Sequence, residues 1–156
     1  MSDILSLFSN YVLIAAVSGW LTAQVLKTVL ASIKDKRFEW ERLFGDGGMP
    51  SCHSACVCAL ALAVARKVGF ASPEFAVAFI FAVIIINDAM GVRRAAGEHA
   101  KVLNRMMKED SKGEIDYFED EPEDPKELKE FLGHTPLEVL CGALIGILVA
   151  ILIPVF

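Results

Sequence analysis

The sequence predicts an all-α protein, a polytopic membrane helix bundle of about four transmembrane helices plus an amphipathic interfacial helix. Three observations predict it. Of the 156 residues 54% are hydrophobic and the mean hydropathy is +0.49, above the roughly 45–50% apolar content of an average soluble domain. Apolar runs at Ile4 to Ile33, around Phe75 to Ile86 and at Leu137 to Phe156 approach the roughly 20 residues that a spanning helix needs, with Ser54 to Val68 a shorter fourth. Charge is segregated from these runs: residues 108–130 hold about half of the acids behind the formal net charge of -5. The whole chain, 1–156, reads as a single membrane domain.

The elements follow in order. Helix one, Ile4 to Ser32, lacks the basic start and cleavage site of a signal peptide and so stays as a span. Trp20, Gln24, Lys27 and Thr28 recur on one face of it, a stripe expected to point inward. Between Lys34 and Pro50, Phe38, Trp40, Leu43 and Phe44 suit a short helix at headgroup depth. Helix two begins near His53 with Ser51 as its N-cap. Helix three starts at Pro73, a favoured first-turn residue, and runs on towards NDAMGVRRAAG. In the segment after it Ala96, Ala100, Leu103, Met106 and Met107 form an apolar stripe opposite charges, an amphipathic surface helix. The acidic stretch 108–130 is too rich in proline, glycine and carboxylates to bury a core and reads as a mobile loop. Gly133 and Pro136 mark the start of the last helix, in which Gly142 and Gly146 form a small-xxx-small pair suited to close packing. That glycine face makes a homodimer plausible.

With this order the loops after helices one and three emerge on one side of the membrane. GGMPSCHSA, NDAMGVRRAAG and LGHTPLE therefore converge at one surface, together with Lys27 and Arg37. Lys27, Arg37, Arg93 and Arg94 supply cations, and arginine matches phosphate oxygens bidentately. The start of helix two, Ser51-Cys52-His53, adds backbone N–H groups and a helix dipole that favour an anion. Two histidines supply the rest of a phosphate-ester hydrolysis: a neutral imidazole to attack phosphorus and a second to protonate the departing alkoxide. Glu138 lies four residues after His134, within reach to fix its tautomer and support its developing charge. His134 is then the nucleophile, His53 the acid and Glu138 the supporting carboxylate. Asp88, costly at a membrane-helix end unless partnered, fits a structural role pairing with an arginine.

PSCH at 50–53 resembles the PSGH element of the phosphatidic acid phosphatase type 2 superfamily, which includes the vanadium-dependent haloperoxidases. The order of its motifs is kept: Lys27 and Arg37 upstream, then Pro50-Ser51-Cys52-His53, then Arg93 or Arg94, then His134 with Glu138. GGMPSCHSA, DAMGVRRAAGEHAKVLN and LGHTPLEV together look like the divergent, small-membrane-protein branch of that superfamily. Cys52 replaces the usual glycine, Glu138 stands for an aspartate, and a long insert splits the last motif. The resemblance implies a metal-independent membrane phosphatase acting on a lipid or isoprenoid phosphate monoester or diphosphate through a phosphohistidine. It implies no cofactor, and vanadate binding as a transition-state mimic and inhibitor.

Other readings stand beside this one. The same cations suit a non-catalytic membrane protein that binds anionic lipid headgroups or scaffolds partners, since Lys27 fits snorkelling and Arg93 and Arg94 fit positive-inside anchors. Haloperoxidase chemistry on a soluble halide gives no reason for burial in lipid. Cys52, His53 and Cys56 lack the second ligand pair of a structural zinc site, and the four cysteines suit small hydrophobes. No basic stripe for nucleic acid is present. Lys34, Lys36, Arg42, Lys101, Arg105 and Lys108 lie on the motif side against Arg66 and Lys67 opposite, which predicts a cytoplasmic-facing site with both termini outside.

Overall fold

The computed structural model describes residues 6–36, 48–110, 128 and 133–156. Arg37, the aromatic segment 38–44 and the acidic stretch from 111 onward, Leu128 apart, lie outside the described residues. Among the described residues the chain is all-helical: α1 (Tyr11–Asp35), α2 (Cys52–Val68), α3 (Pro73–Met90), α4 (Val92–Asp110) and α5 (Pro136–Leu152). Tyr11–Ile33 and the continuous apolar stretch from Pro73 are long and apolar enough to cross a membrane, whereas Pro136–Leu152 is a shorter apolar helix. By that measure two spans stand where the sequence suggested about four, because α2 and α5 have 17 residues each.

Each helix starts where a side chain replaces a missing backbone partner. Asn10, Ser51, Ser72 and Thr135 cap α1, α2, α3 and α5 by accepting from the N–H three residues on. The Asn10 cap sets the start of α1 at Tyr11 rather than at Ile4. Gly91 separates α3 from α4, with its N–H donating to Asn87 O at 2.8 Å.

α2 is the central helix, packed by α1, α3 and α5, and the packing is done by small residues. Ala55, Ala59, Ala61, Ala63 and Ala65 of α2 are buried, as are Ala15, Ala16 and Ala23 of α1, Ala78, Ala82 and Ala89 of α3 and Gly142, Gly146 and Ala150 of α5. Seams this thin let backbones approach: a Cβ on Gly19 would lie 3.0 Å from Ala55 O, and one on Gly142 or Gly146 would overlap Ser51 O or Ala55 O. The close packing expected of the Gly142/Gly146 pair is thus made within the chain, against α2. Gln24, Lys27 and Thr28 point inward, but Trp20 is 39% exposed, because a seam closed on Gly19 and Ala23 has no room for an indole. Large side chains face outward instead, among them Phe79, Ile80, Ile84, Leu144 and Leu148.

α4 is the amphipathic helix expected after helix three: Leu103 and Met106 of its apolar stripe are exposed, Ala100 is buried, and the face turned to the protein also carries Gly97 and Asn104. Asn104 clamps the backbone of Leu128, donating to its O at 2.9 Å and accepting from its N at 3.0 Å. Leu128, within the acidic stretch, is thereby pinned to α4. Lys101 donates to Glu98 at 3.0 Å and holds that carboxyl below its usual range.

The bundle has two unlike ends. At one, Arg66 donates to Tyr11 Oη at 2.8 Å, to Ile153 O at 2.9 Å and to Ala150 O, answering carbonyls left over at the end of α5. At the other meet the starts of α2 and α5 and the end of α3, which brings the sequence motifs together.

Candidate active site

Three short connections build this end. Ser51 caps α2 with its hydroxyl, accepting from Ser54 N at 3.3 Å, and its own N–H donates to Glu138 O at 3.0 Å. The start of α2 is thereby tied to the first turn of α5. Gly133 reaches φ 83° with the backbone of Arg94 against it, where a Cβ would collide with Arg94 N. Only glycine gives both the left-handed turn and the room. The next residue, His134, donates its N–H to Ala89 O at 2.9 Å, which fixes it at the end of α3.

THR-PRO-LEU-GLU at 135–138 then starts α5 as a capping box. Thr135 Oγ1 accepts from Glu138 N at 3.4 Å, and Glu138 Oε2 accepts from Thr135 N at 2.9 Å. The same Oε2 lies 3.2 Å from His134 Nδ1. A device that starts a helix therefore also orients an imidazole, and His134 is 3% exposed. His53, second residue of α2, faces it with ring centroids 6.3 Å apart and a 53° tilt. Its Nδ1 lies 3.8 Å from Cys52 Sγ.

A pocket opens between the two rings, lined by His53, Ile85, Asp88, Ala89, Arg93, Gly133 and His134. Arg93 Nε donates to Asp88 Oδ2 at 2.7 Å across the Gly91 break, so Asp88 selects Arg93 as its arginine and holds it at the rim. Both partners are partly exposed, at 46% and 36%, and a pair so wet contributes about 0–1 kcal/mol to stability. Its consequence is position.

The other sequence-predicted residues fall around this centre. Arg94 is exposed and contributes its backbone to the Gly133 packing. Lys27 is buried, with its stem beside Gly48 in the turn before α2. Ser51 is fully buried, its hydroxyl engaged with Ser54. Cys52 is buried between Ala23, Ala55 and Ile145. Lys27, Ser51 and Cys52 thus lie behind the turn, and Arg37 lies outside the described residues. Sequence reasoning missed the Ala89 carbonyl, Ile85 and Thr135. Of these only Thr135 carried a local signal, the T-x-x-E spacing.

Among the described residues no group of three histidine, cysteine or carboxylate side chains is placed to hold a metal ion. The donors that line the pocket, two imidazoles and the Arg93 guanidinium, suit an anion.

A family model described as "Divergent PAP2 family" matches residues 8–149. The chain is 41% identical over 156 residues to a Bacillus subtilis (strain 168) protein called "Uncharacterized membrane protein YuiD", covering 97% of this chain and 99% of that one. No solved structure matches the chain.

Proposed function

Since the chain belongs to the divergent PAP2 family, we propose that it is a multi-pass integral membrane phosphatase hydrolysing a lipid or isoprenoid phosphate monoester or diphosphate. The observation that carries this reading is the facing of His53 and His134 across a pocket in which Glu138 holds one imidazole and Arg93 waits at the rim.

The chemistry follows from those contacts. Glu138 accepts the Nδ1–H of His134, so the lone pair of Nε2 is presented to phosphorus. As the Nε2–P bond forms and the P–O bond to the leaving group breaks, His53 gives its proton to the departing oxygen. Positive charge on His134 is balanced by the Glu138 carboxylate. Arg93 exchanges some of its contact with Asp88 for the equatorial phosphoryl oxygens, with the N–H groups at the start of α2 and the charge of Lys27 behind them. Neutral His53 then takes a proton from water, which attacks the phosphohistidine and releases phosphate. The sequence needs no cofactor, and vanadate fits the same pocket as an inhibitor.

Four helices cross the bilayer in this reading: α1, α2, α3 and α5. α2 and α5 are each about 25 Å long at 1.5 Å per residue, a few ångströms short of the hydrocarbon core. Local thinning and the flanking Arg66 and Lys67 accommodate such a mismatch. α4 lies at the surface with Leu103 and Met106 towards lipid.

The test is release of inorganic phosphate from dodecyl phosphate by purified protein in detergent. Activity that vanadate inhibits and that His134→Ala abolishes, with the variant still helical, is the expected result. A second reading is a non-catalytic binder of anionic headgroups, favoured by Asp88 already neutralising Arg93. It predicts vanadate binding without phosphate release.

A further inference from the structure

Both imidazoles of the pocket are engaged at the same ring atom. His134 Nδ1 lies 3.2 Å from Glu138 Oε2, and His53 Nδ1 lies 3.8 Å from Cys52 Sγ. Each partner comes from the helix start that carries the histidine, and each leaves Nε2 as the remaining ring nitrogen. The two rings, each held from behind, then form walls of one pocket with centroids 6.3 Å apart.

The contact with Cys52 does not follow from adjacency alone. Successive residues of a helix point about 100° apart, and these two go different ways. His53 is half-buried and lines the pocket beside Ile85 of α3, whereas Cys52 is 4% exposed and packs among Ala23 of α1, Ala55 and Ile145 of α5. His53 meets the thiol because its ring is turned with Nδ1 back towards the start of α2. The last torsion of a histidine is broad and roughly two-fold, so a half-buried ring needs a partner to keep one orientation. Among the described residues no other group hydrogen-bonds the His53 ring. Glycine, which stands at this place in the PSGH element that residues 50–53 resemble, has no side chain to offer.

We propose that Cys52 is the positioning residue for His53: its sulfur accepts the Nδ1–H, sets the ring's orientation and tautomer, and leaves Nε2 to work in the pocket. The inference rests on the acid and base roles given to His53 above. Both protonation states keep the contact. The imidazolium donates Nδ1–H to sulfur while its Nε2–H passes to the departing oxygen. The neutral ring that results still carries Nδ1–H, so the Nε2 lone pair is bare and takes a proton from the attacking water, which restores the imidazolium. Without the sulfur the neutral ring is free to carry its proton on Nε2, where it accepts nothing. Sulfur is a weak acceptor, so it contributes orientation and not basicity.

The experiment reads the ring first and turnover second. The chain has three histidines, His53, His99 and His134, so nitrogen-15 labelling of histidine gives a spectrum of three rings, with His53 identified by its loss in His53→Gln. In purified wild-type protein in detergent, neutral His53 is expected to carry its proton on Nδ1. Cys52→Ala should lose that preference and Cys52→Ser should keep it, while the His99 and His134 signals stay in place, which shows that the variants are folded. Cys52→Ala should also lower kcat on dodecyl phosphate by roughly tenfold, a part of the ~10²–10⁴ that a positioned proton donor supplies, with KM unchanged. The loss should be far smaller on p-nitrophenyl phosphate, and Cys52→Ser should restore turnover. A neutral wild-type His53 protonated on Nε2 would overturn the proposal, and that measurement stands even where a variant misfolds. So would a ring unmoved by Cys52→Ala, or equal losses on the two substrates, the mark of a displaced helix start. The expected tautomer without phosphate release from dodecyl phosphate would sink the phosphatase reading alone, and turnover with Nε2-protonated His53 would sink the Cys52 assignment alone.

Discussion

Glu138→Gln separates two roles that one carboxylate performs. Its Oε2 accepts from Thr135 N at 2.9 Å, which starts α5, and lies 3.2 Å from His134 Nδ1, which orients the proposed nucleophile. Glutamine keeps an acceptor oxygen and is itself a capping-box residue, so stability should change by no more than about 0.5 kcal/mol. What is lost is charge. When His134 bonds to phosphorus its ring becomes cationic, and a carboxylate about 4 Å from that charge gives an upper limit of about 4 kcal/mol at an effective dielectric near 20. Glu138 is 21% exposed and glutamine still accepts the bond, so the net loss is nearer the roughly 1.5–3 kcal/mol of a hydrogen bond to a charged group. This is a fall in kcat of about 10- to 150-fold with KM little changed. Glu138→Ala should show at least that loss and also give up about 0.5–2 kcal/mol of stability with the cap. Phosphate release from dodecyl phosphate and thermal melting by circular dichroism, measured on the same samples, read the two effects apart. Wild-type kcat in Glu138→Gln would refute the assigned role, and a melt lowered as far as that of the alanine variant would refute the capping argument.

Three further outcomes follow from the same geometry. His53→Ala should cost about 10²–10⁴-fold on an alkyl phosphate, whose leaving group needs a proton, and far less on p-nitrophenyl phosphate; equal losses on the two would remove His53 as the acid. Gly142→Ala puts a Cβ into Ser51 O, so α5 must shift from α2; a destabilisation of about 1–3 kcal/mol is expected on thermal melting, and an unchanged melt would show that the seam is looser than drawn. In a background with the four native cysteines replaced, Glu98→Cys should resist an impermeant maleimide in intact cells and Ala71→Cys should react at once; the reverse would put the pocket on the outer face.

What the sequence made legible was local. PSCH and GHTPLE sit in breaks between apolar runs and NDAM at the end of one, and the two helix starts carry their own signals: a capping serine at Ser51, and a proline at the first turn with the T-x-x-E box at 135–138. Alternation of helix direction then suffices to bring all three to one end, since the start of α2, the end of α3 and the start of α5 must coincide. The seams were not legible. Gly142 and Gly146 read equally well as a contact between copies or within the chain, because spacing shows closeness and not the partner. Trp20 shares a helical face with Gln24 and Lys27 on paper, yet it is the thin Gly19 contact with Ala55 and Ala59 that decides its orientation. Both points have one cause: in lipid the outer surface is as apolar as the core, so hydrophobicity no longer marks the inside and residue size does.

That inversion also bears on how the candidate site is held. A pocket built on large interlocking side chains would tolerate small errors in helix placement, but this one hangs from backbone contacts between thin helices. Ser51 N to Glu138 O, His134 N to Ala89 O and Gly133 on Arg94 are the fixing points. Each ties one histidine-bearing segment to a neighbouring helix through the main chain, where geometry depends little on rotamers. His53 and His134 are therefore held by the same bonds that satisfy helix ends. The cations are held more loosely, since Arg93 lies beyond the Gly91 break and its pairing with Asp88 is exposed. A rigid pair of imidazoles beside a movable guanidinium suits a headgroup that must arrive and leave while the reacting atoms stay in register.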